Sequence, residues 1–153
     1  MELNKPQFNI RVMSINDYEQ VYSLWINTEG MGLNNIDDSK EGIEKYLNRN
    51  PTTCFVAEQD EMIIGAIMSG HDGRRGYIHH TAVAQSFKKK GIGAKLVSAA
   101  MSALKREGIT KIALVAFAEN ETGNLFWEKL GFTQRNDLVY RNKAIVDLVR
   151  LNT

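Results

Sequence analysis

Two neighbouring stretches, Tyr77-Ile-His-His-Thr-Ala-Val83 and Lys88-Lys-Lys-Gly-Ile-Gly-Ala94, decide the fold. The first is an apolar run that reads as a strand. The second opens an uninterrupted amphipathic helix pattern, Gly91 to Glu107, with Leu96, Val97, Ala100, Met101 and Leu104 on one stripe and Gly108 as its C-terminal stop. A strand, a glycine-bearing loop and a helix start, in that order, aim backbone amides and the positive end of a helix dipole at an anion. Glycine at 91 and 93 removes the Cβ atoms that would hold a phosphate off the main chain, and Lys88, Lys89 and Lys90 supply countercharge. A diphosphate fits such a nest. On its own the loop suits an ordinary tight turn equally well. It lacks the G-x-x-x-x-G-K-S/T pattern of a P-loop, and it lacks the third glycine and distant acidic residue of a dinucleotide site.

Working outward, Phe8 to Met13 alternates apolar and polar residues as a strand does, and Ser14 or Asn16 can cap a helix carrying Tyr18, Val21, Leu24 and Trp25. The irregular stretch from Thr28 to Asp37, a candidate lid, leads to a helix over Ser39 to Leu47 that Asn50-Pro51 closes. Thr53 to Glu58 and Met62 to Ser69 read as a hairpin joined by Gln59-Asp60-Glu61. Lys111 to Phe117 is apolar enough for a strand buried on both faces, and Glu121 to Leu130 is a helix ended by Gly131. Thr133 to Arg135 and Leu138 to Arg141 are candidate last strands, and Ala144 to Leu151 suits strand or helix.

With 153 residues, 43% of them hydrophobic, the chain can bury the core of one domain, expected over 1–153. The 19 basic and 18 acidic side chains leave a net charge of +1, so no global field draws it to nucleic acid or to an acidic membrane surface. Three lysines and Phe87 are too few for a nucleic-acid footprint. Cys54, the one cysteine, excludes an internal disulfide and reads as a buried core residue. His71, His79 and His80 lack metal-ligand spacing, so no metal is expected. No leader pattern or long apolar span is seen, and the expected location is the cytoplasm.

Taken together, Thr81-Ala-Val83, Lys88-x-x-Gly91-x-Gly93, Asn120 and Phe126-Trp-Glu-Lys-Leu-Gly-Phe132 resemble the GCN5-related N-acetyltransferase (GNAT) superfamily, and within it the small bacterial YpeA-like acetyltransferases. The resemblance covers nearly the whole chain. It implies an α+β, three-layer fold: a central mixed, mostly antiparallel, twisted sheet of six to seven strands, flanked by about four helices and splayed between strands four and five. It also implies acetyl transfer from acetyl-CoA, as co-substrate, to the primary amine of a small molecule or protein. Thr81, Ala82 and Val83 would meet the pantetheine arm as an added strand, and Lys88, Lys89, Lys90, Gly91, Ile92, Gly93 and Ala94 the pyrophosphate. Asn120, Phe126 and Trp127 would complete the cofactor site. The chain departs from the family pattern twice. Lys88 stands where Arg or Gln is usual, keeping the charge without the planar fork. Trp127 stands where most members have a tyrosine that protonates the departing thiolate, and an indole N–H is a far weaker acid than a phenol.

An amine with a pKa of about 10.4 must lose a proton before it attacks a thioester. Period-two alternation puts Tyr77, His79, Thr81 and Val83 on one face of strand four and Ile78, His80 and Ala82 on the other. By resemblance to arylalkylamine acetyltransferases His79 is the lead base; its other reading is a hydrogen-bonded core histidine. Tyr77 and Tyr140 are candidate proton donors to the thiolate, each otherwise a packing aromatic, and Glu29 and Glu119 could hold a cationic amine. Attack within a ternary complex is expected because neither Cys54 nor any serine forms a nucleophilic pair. The alternative is a catalytically silent acyl-CoA-binding module that senses or scaffolds. A homodimer through the last strands would fit the family.

Overall fold

The computed structural model describes residues 7 to 151. Strand β1 (Asn9–Val12) leads through a 3₁₀ turn (Ile15–Asp17) into helix α1 (Tyr18–Ile26), and helix α2 (Lys40–Arg49) follows. Strands β2 (Phe55–Gln59), β3 (Met62–His71) and β4 (Gly76–Val83) come next, then helix α3 (Ile92–Arg106), strand β5 (Ile112–Leu114) and helix α4 (Glu121–Lys129). The sheet runs β1-β2-β3-β4-β5, antiparallel as far as β4 and parallel between β4 and β5. Asp60 and Glu61, both at positive φ, make the two-residue turn that joins β2 to β3.

Apolar layers form on both faces of the sheet. Val21, Leu24 and Trp25 of α1 and Ile43 and Leu47 of α2 pack with Val56, Ala66, Met68 and Ala82 on one side. Leu96, Val97, Ala100 and Ala103 of α3 pack with Ala57, Ile64, Ile67 and Ile78 on the other. Each fully buried branched side chain contributes about 1.5–3 kcal/mol. Met101, expected on the buried stripe of α3, is exposed, and Ala103 takes its place in the core. At the rim, the Arg11 guanidinium forks onto both carboxylate oxygens of Asp17 (2.9 and 2.8 Å) and reaches Glu58 Oε2 at 2.7 Å.

Three expectations are corrected. The sheet has five strands among the described residues, not six to seven. Residues 133–135 and 138–141 form no strand, and 144–151 is neither strand nor helix beyond one isolated bridge between Asn34 and Arg150. A strand needs a paired neighbour and a covered face. Here Arg135 closes on Asp137 in a local ion pair, and Leu138, Val139 and Ile145 point into solvent. For the same reason β5 is a half-exposed three-residue edge strand, not one buried on both faces, and Val115 and Phe117 beyond it are exposed.

The alternation along β4 is also broken. Ile67 lies opposite Thr81, but Ser69 lies opposite Ile78, so Met68 alone faces both His79 and His80. This bulge turns the strand by one residue. Ile78 therefore packs beneath α3 while Ala82 packs beneath α1 and α2, and the two histidines project together on the α1/α2 side.

Candidate active site

Strand β4 pairs with β5 only through Gly76, Tyr77 and Ile78. From His79 onward the two chains part, leaving an opening in the sheet. The Ala84 N–H donates to the Ile64 carbonyl at 2.8 Å. Counting back by twos, the main-chain groups of Ala82 face β3, whereas those of Thr81 and Val83 face the opening. An extended amide chain laid there would find unpaired donors and acceptors.

At the end of β4 a 3₁₀ turn (Gln85–Phe87) leads into the basic loop. Lys89 (φ 64°) and Gly91 (φ 81°) both take left-handed conformations, and Gly91 is the N-cap of α3. Reversed curvature of this kind gathers consecutive N–H groups on one side. Among the described residues, none accepts a hydrogen bond from the backbone N–H of Lys89, Lys90, Gly91, Ile92, Gly93 or Ala94; the first donation is from Lys95 to the Gly91 carbonyl at 3.1 Å. Ile92 is buried and anchors the helix start, while Lys88, Lys89 and Lys90 are exposed around it. A Cβ on Gly93 would stand 3.1 Å from the Phe126 ring, so α4 packs directly against the nest. A cavity of about 260 Å³ lined by Phe8, Ile64, Phe87 and Lys90 adjoins this loop and lies apart from the histidines.

Asn120 caps α4, its Oδ1 accepting the Gly123 N–H at 3.0 Å. Its Nδ2 donates to no described residue and lies against the Gly30 corner. Trp127 is half-buried, edge-on to Phe126 and to Phe132 (centroids 4.9 and 5.3 Å), and serves as a packing residue of the α3 layer. Glu29 and Glu119 are exposed.

The histidines sit where the sheet opens. His79 is exposed, with Tyr77 and Tyr46 rings 4.6 and 5.4 Å away on its flanks. That crowding strips water from the imidazole and lowers its pKa below the ordinary 6.5; His80 adds to the drop, against a smaller opposing pull from Asp38 and Asp37. Burial raises the Tyr77 hydroxyl above its ordinary value, with Tyr140 adding to it, and Tyr140 is itself exposed. His80 is edge-on to Trp25 at 4.8 Å, and its Nε2 lies 2.6 Å from Asp38 Oδ1. The Asp38 carboxylate is 6% exposed, and its Oδ2 accepts the Asn34 N–H at 2.8 Å. The Asp38 carbonyl accepts the Tyr18 hydroxyl at 2.7 Å. The 28–37 segment is tied down by fully buried Leu33 and by Asn35, which bonds Val149 in both directions.

Residues 18–132 match the model of the Acetyltransferase (GNAT) family. The chain belongs to the GNAT family. An acetyltransferase of Sodalis glossinidius is 30% identical over 138 residues, covering 90% of this chain and 96% of that one. Among solved structures, Ard1 of Thermoplasma volcanium superposes with a TM-score of 0.75 at 21% identity, covering 84% of each chain. The PaiA N-acetyltransferase of Thermoplasma acidophilum, solved in complex with coenzyme A, gives 0.73 at 21% identity over 84% of this chain and 91% of that one. At that identity the structural likeness speaks for the fold. The GNAT enzyme described here therefore has the family's α+β architecture with a parallel β4–β5 pair, and it is an N-acetyltransferase of a family that uses acetyl-CoA. No group of three or more His, Cys, Asp or Glu side chains among the described residues could hold a metal, and no described helix is long and apolar enough to cross a membrane.

The sequence pattern did not reveal the pairing of Asp38 with His80 or the Tyr46 ring beside His79. The only signal for Asp38 was an acidic residue ahead of a helix, which helix capping explains equally well.

Proposed function

We propose that this enzyme moves the acetyl group of acetyl-CoA to a primary amine by direct attack in a ternary complex. The observation that carries the reading is the run of six amides from Lys89 to Ala94, unpaired among the described residues, at the foot of an opening in the sheet. The diphosphate is held by those amides and by the α3 dipole, with lysines 88 to 90 as countercharge. Thr81 and Val83 bond the pantetheine amides as a neighbouring strand would, and Ala82 holds the strand to β3. Asn120 Nδ2, which donates to no described residue, is a further donor for the cofactor. Phe126 and Trp127 form the wall behind it.

The acyl group then lies beside His79 and His80, the imidazoles able to accept the amine proton. Tyr77, kept protonated by its raised pKa, and Tyr140 are the groups able to return a proton to sulfur. Trp127 cannot, and a thiol with a pKa of about 8.5 leaves tolerably without a strong acid. Cys54 is enclosed, so no acetyl-enzyme passes through it.

The test is thiol release from acetyl-CoA with spermidine, lysine, kanamycin and a short peptide with a free N-terminus, alongside calorimetry with CoA. The expected result is micromolar-range CoA binding, about −8 kcal/mol, and release with at least one amine. Binding without release from any of them would favour a silent acyl-CoA-binding module. No binding would remove the nest.

A further inference from the structure

We propose that Asp38 and His80 form the proton-accepting pair of this reaction, with His80 Nδ1 as the base and Asp38 as the residue that positions it. The inference rests on the acetyl-transfer reading above. An ionised carboxylate only accepts, so the 2.6 Å contact fixes the proton of neutral His80 on Nε2 and leaves the lone pair on Nδ1. Nδ1 bonds no described residue and is not enclosed, since Trp25 Nε1 is the one buried side-chain polar atom without a partner among the described residues. One nitrogen held by a buried carboxylate and the other open to a reactant is the arrangement that makes an imidazole a directed base.

The surroundings make the pair rigid. Asp38 is held through its carboxylate by the Asn34 N–H and through its carbonyl by the Tyr18 hydroxyl, and the Trp25 ring closes one flank of the His80 ring. The bulge at His79–His80 turns His80 to this side of the sheet, two residues past the last β4–β5 pair. His79, the residue nominated by resemblance, has no carboxylate partner and no side-chain hydrogen bond to fix its tautomer among the described residues; it sits among Tyr46, Tyr77 and His80.

In the step, the substrate ammonium gives one proton to His80 Nδ1, while Nε2–H stays on Asp38. The freed nitrogen lone pair forms the N–C bond to the acyl carbon as the C–S bond breaks. A second nitrogen-bound proton passes to the departing sulfur, giving CoA thiol. His80 then releases its proton to solvent, so each turnover yields one amide, one thiol and one proton.

The test pairs spectroscopy with kinetics. In ¹⁵N-histidine-labelled protein, long-range ¹H–¹⁵N correlation should show neutral His80 as the Nε2–H tautomer, and Asp38→Asn should lose that preference while His79 is unchanged. With whichever of spermidine, lysine, kanamycin or the peptide gives the fastest thiol release, His80→Gln should lower kcat by about 10²–10⁴-fold. Asp38→Asn should lower kcat too, and the double variant should fall little further than His80→Gln, because the pair acts as a unit. The acetyl-CoA Kd and the melting temperature should stay close to those of the parent, and His79→Gln should lower kcat less than His80→Gln does. A wild-type His80 protonated on Nδ1, or a His79→Gln loss matching that of His80→Gln, overturns the assignment; if His80→Gln does not fold, the tautomer and Asp38→Asn decide it. Absence of thiol release by the wild type with every amine would sink the acetyl-transfer reading instead, whatever the tautomer.

Discussion

Gly42 sits in the first turn of α2, its N–H donating to Ser39 Oγ at 3.0 Å. Propensity alone says that alanine at a helical glycine adds about 1 kcal/mol of stability. The fold reverses that sign. A Cβ on Gly42 would lie 2.4 Å from the carbonyl oxygens of both Ile36 and Asp37, backbone atoms that cannot swing aside as a side chain could. To bring 2.4 Å out to the 3.0 Å that real Cβ contacts respect, the 36–37 backbone must retreat by 0.6 Å. Overpacking of this kind costs about 1–3 kcal/mol, and loosening the Ser39 cap adds about 1 kcal/mol. Set against the helix gain, Gly42→Ala should lose about 1–3 kcal/mol, seen as a fall of about 2–12 °C in melting temperature for a chain of this size. The displaced segment carries Asp38 as its next residue. A 0.6 Å withdrawal of the carboxylate from 2.6 Å leaves it at the outer limit of a hydrogen bond to His80. Turnover should therefore fall with acetyl-CoA affinity intact, read by thiol release and calorimetry on the same preparation. A Gly42→Ala protein that melts higher than its parent and turns over normally would show that α2 does not hold this loop, and the account of how Asp38 is positioned would be wrong.

Gly91→Ala meets no atom within 4 Å, so its whole effect is the left-handed φ of 81°, worth about 1–2 kcal/mol. That cost should appear as a lower melting temperature or, if the loop relaxes, as CoA binding weakened about 5–30-fold; a variant unchanged in both would contradict the nest. Cys54 is 1% exposed, donates to the Ser69 carbonyl at 3.3 Å, and burial pushes its thiol up to about 12, so a thiol reagent should react only after unfolding. Rapid reaction of the native protein at pH 8 would refute its burial. Burial alone would raise the Asp17 carboxyl, but the Arg11 fork and the Ser14 N–H more than reverse this and hold it below the usual carboxylate range. A depressed folded pKa stabilises above the unfolded value of about 3.9 and is lost as pH falls through the folded one. Asp17→Asn should thus cost about 2–3 kcal/mol at pH 7, with the gap to wild type closing as the pH falls below the ordinary carboxylate range in urea melts. A gap that persists in acid would show that the loss is packing and not charge.

What could be read in advance followed the range of each interaction. Helices α2 and α4 lie close to where Ser39, Asn120 and Gly131 put their ends, because capping is settled within a few residues. The tail looked like strand because alternation is a local property, whereas strand formation needs a partner, and the outer edge of β5 gives residues 133–141 none. The site shows the same division more sharply. The amide nest depends on consecutive residues and was visible as Gly91-Ile-Gly93. The His80–Asp38 contact spans 42 positions and exists only because β4 carries two residues opposite Met68. Nothing in Tyr77 to Val83 marks that bulge, yet it decides which side of the sheet every later side chain occupies. Strict alternation puts Ile78 and Ala82 on one face; the fold divides them between its two layers and turns His80 to the side of Asp38. The loop amides depend on the left-handed conformations of Lys89 and Gly91, whereas the His80–Asp38 contact depends on the bulge, so cofactor binding and proton acceptance in this fold rest on separate features of the chain.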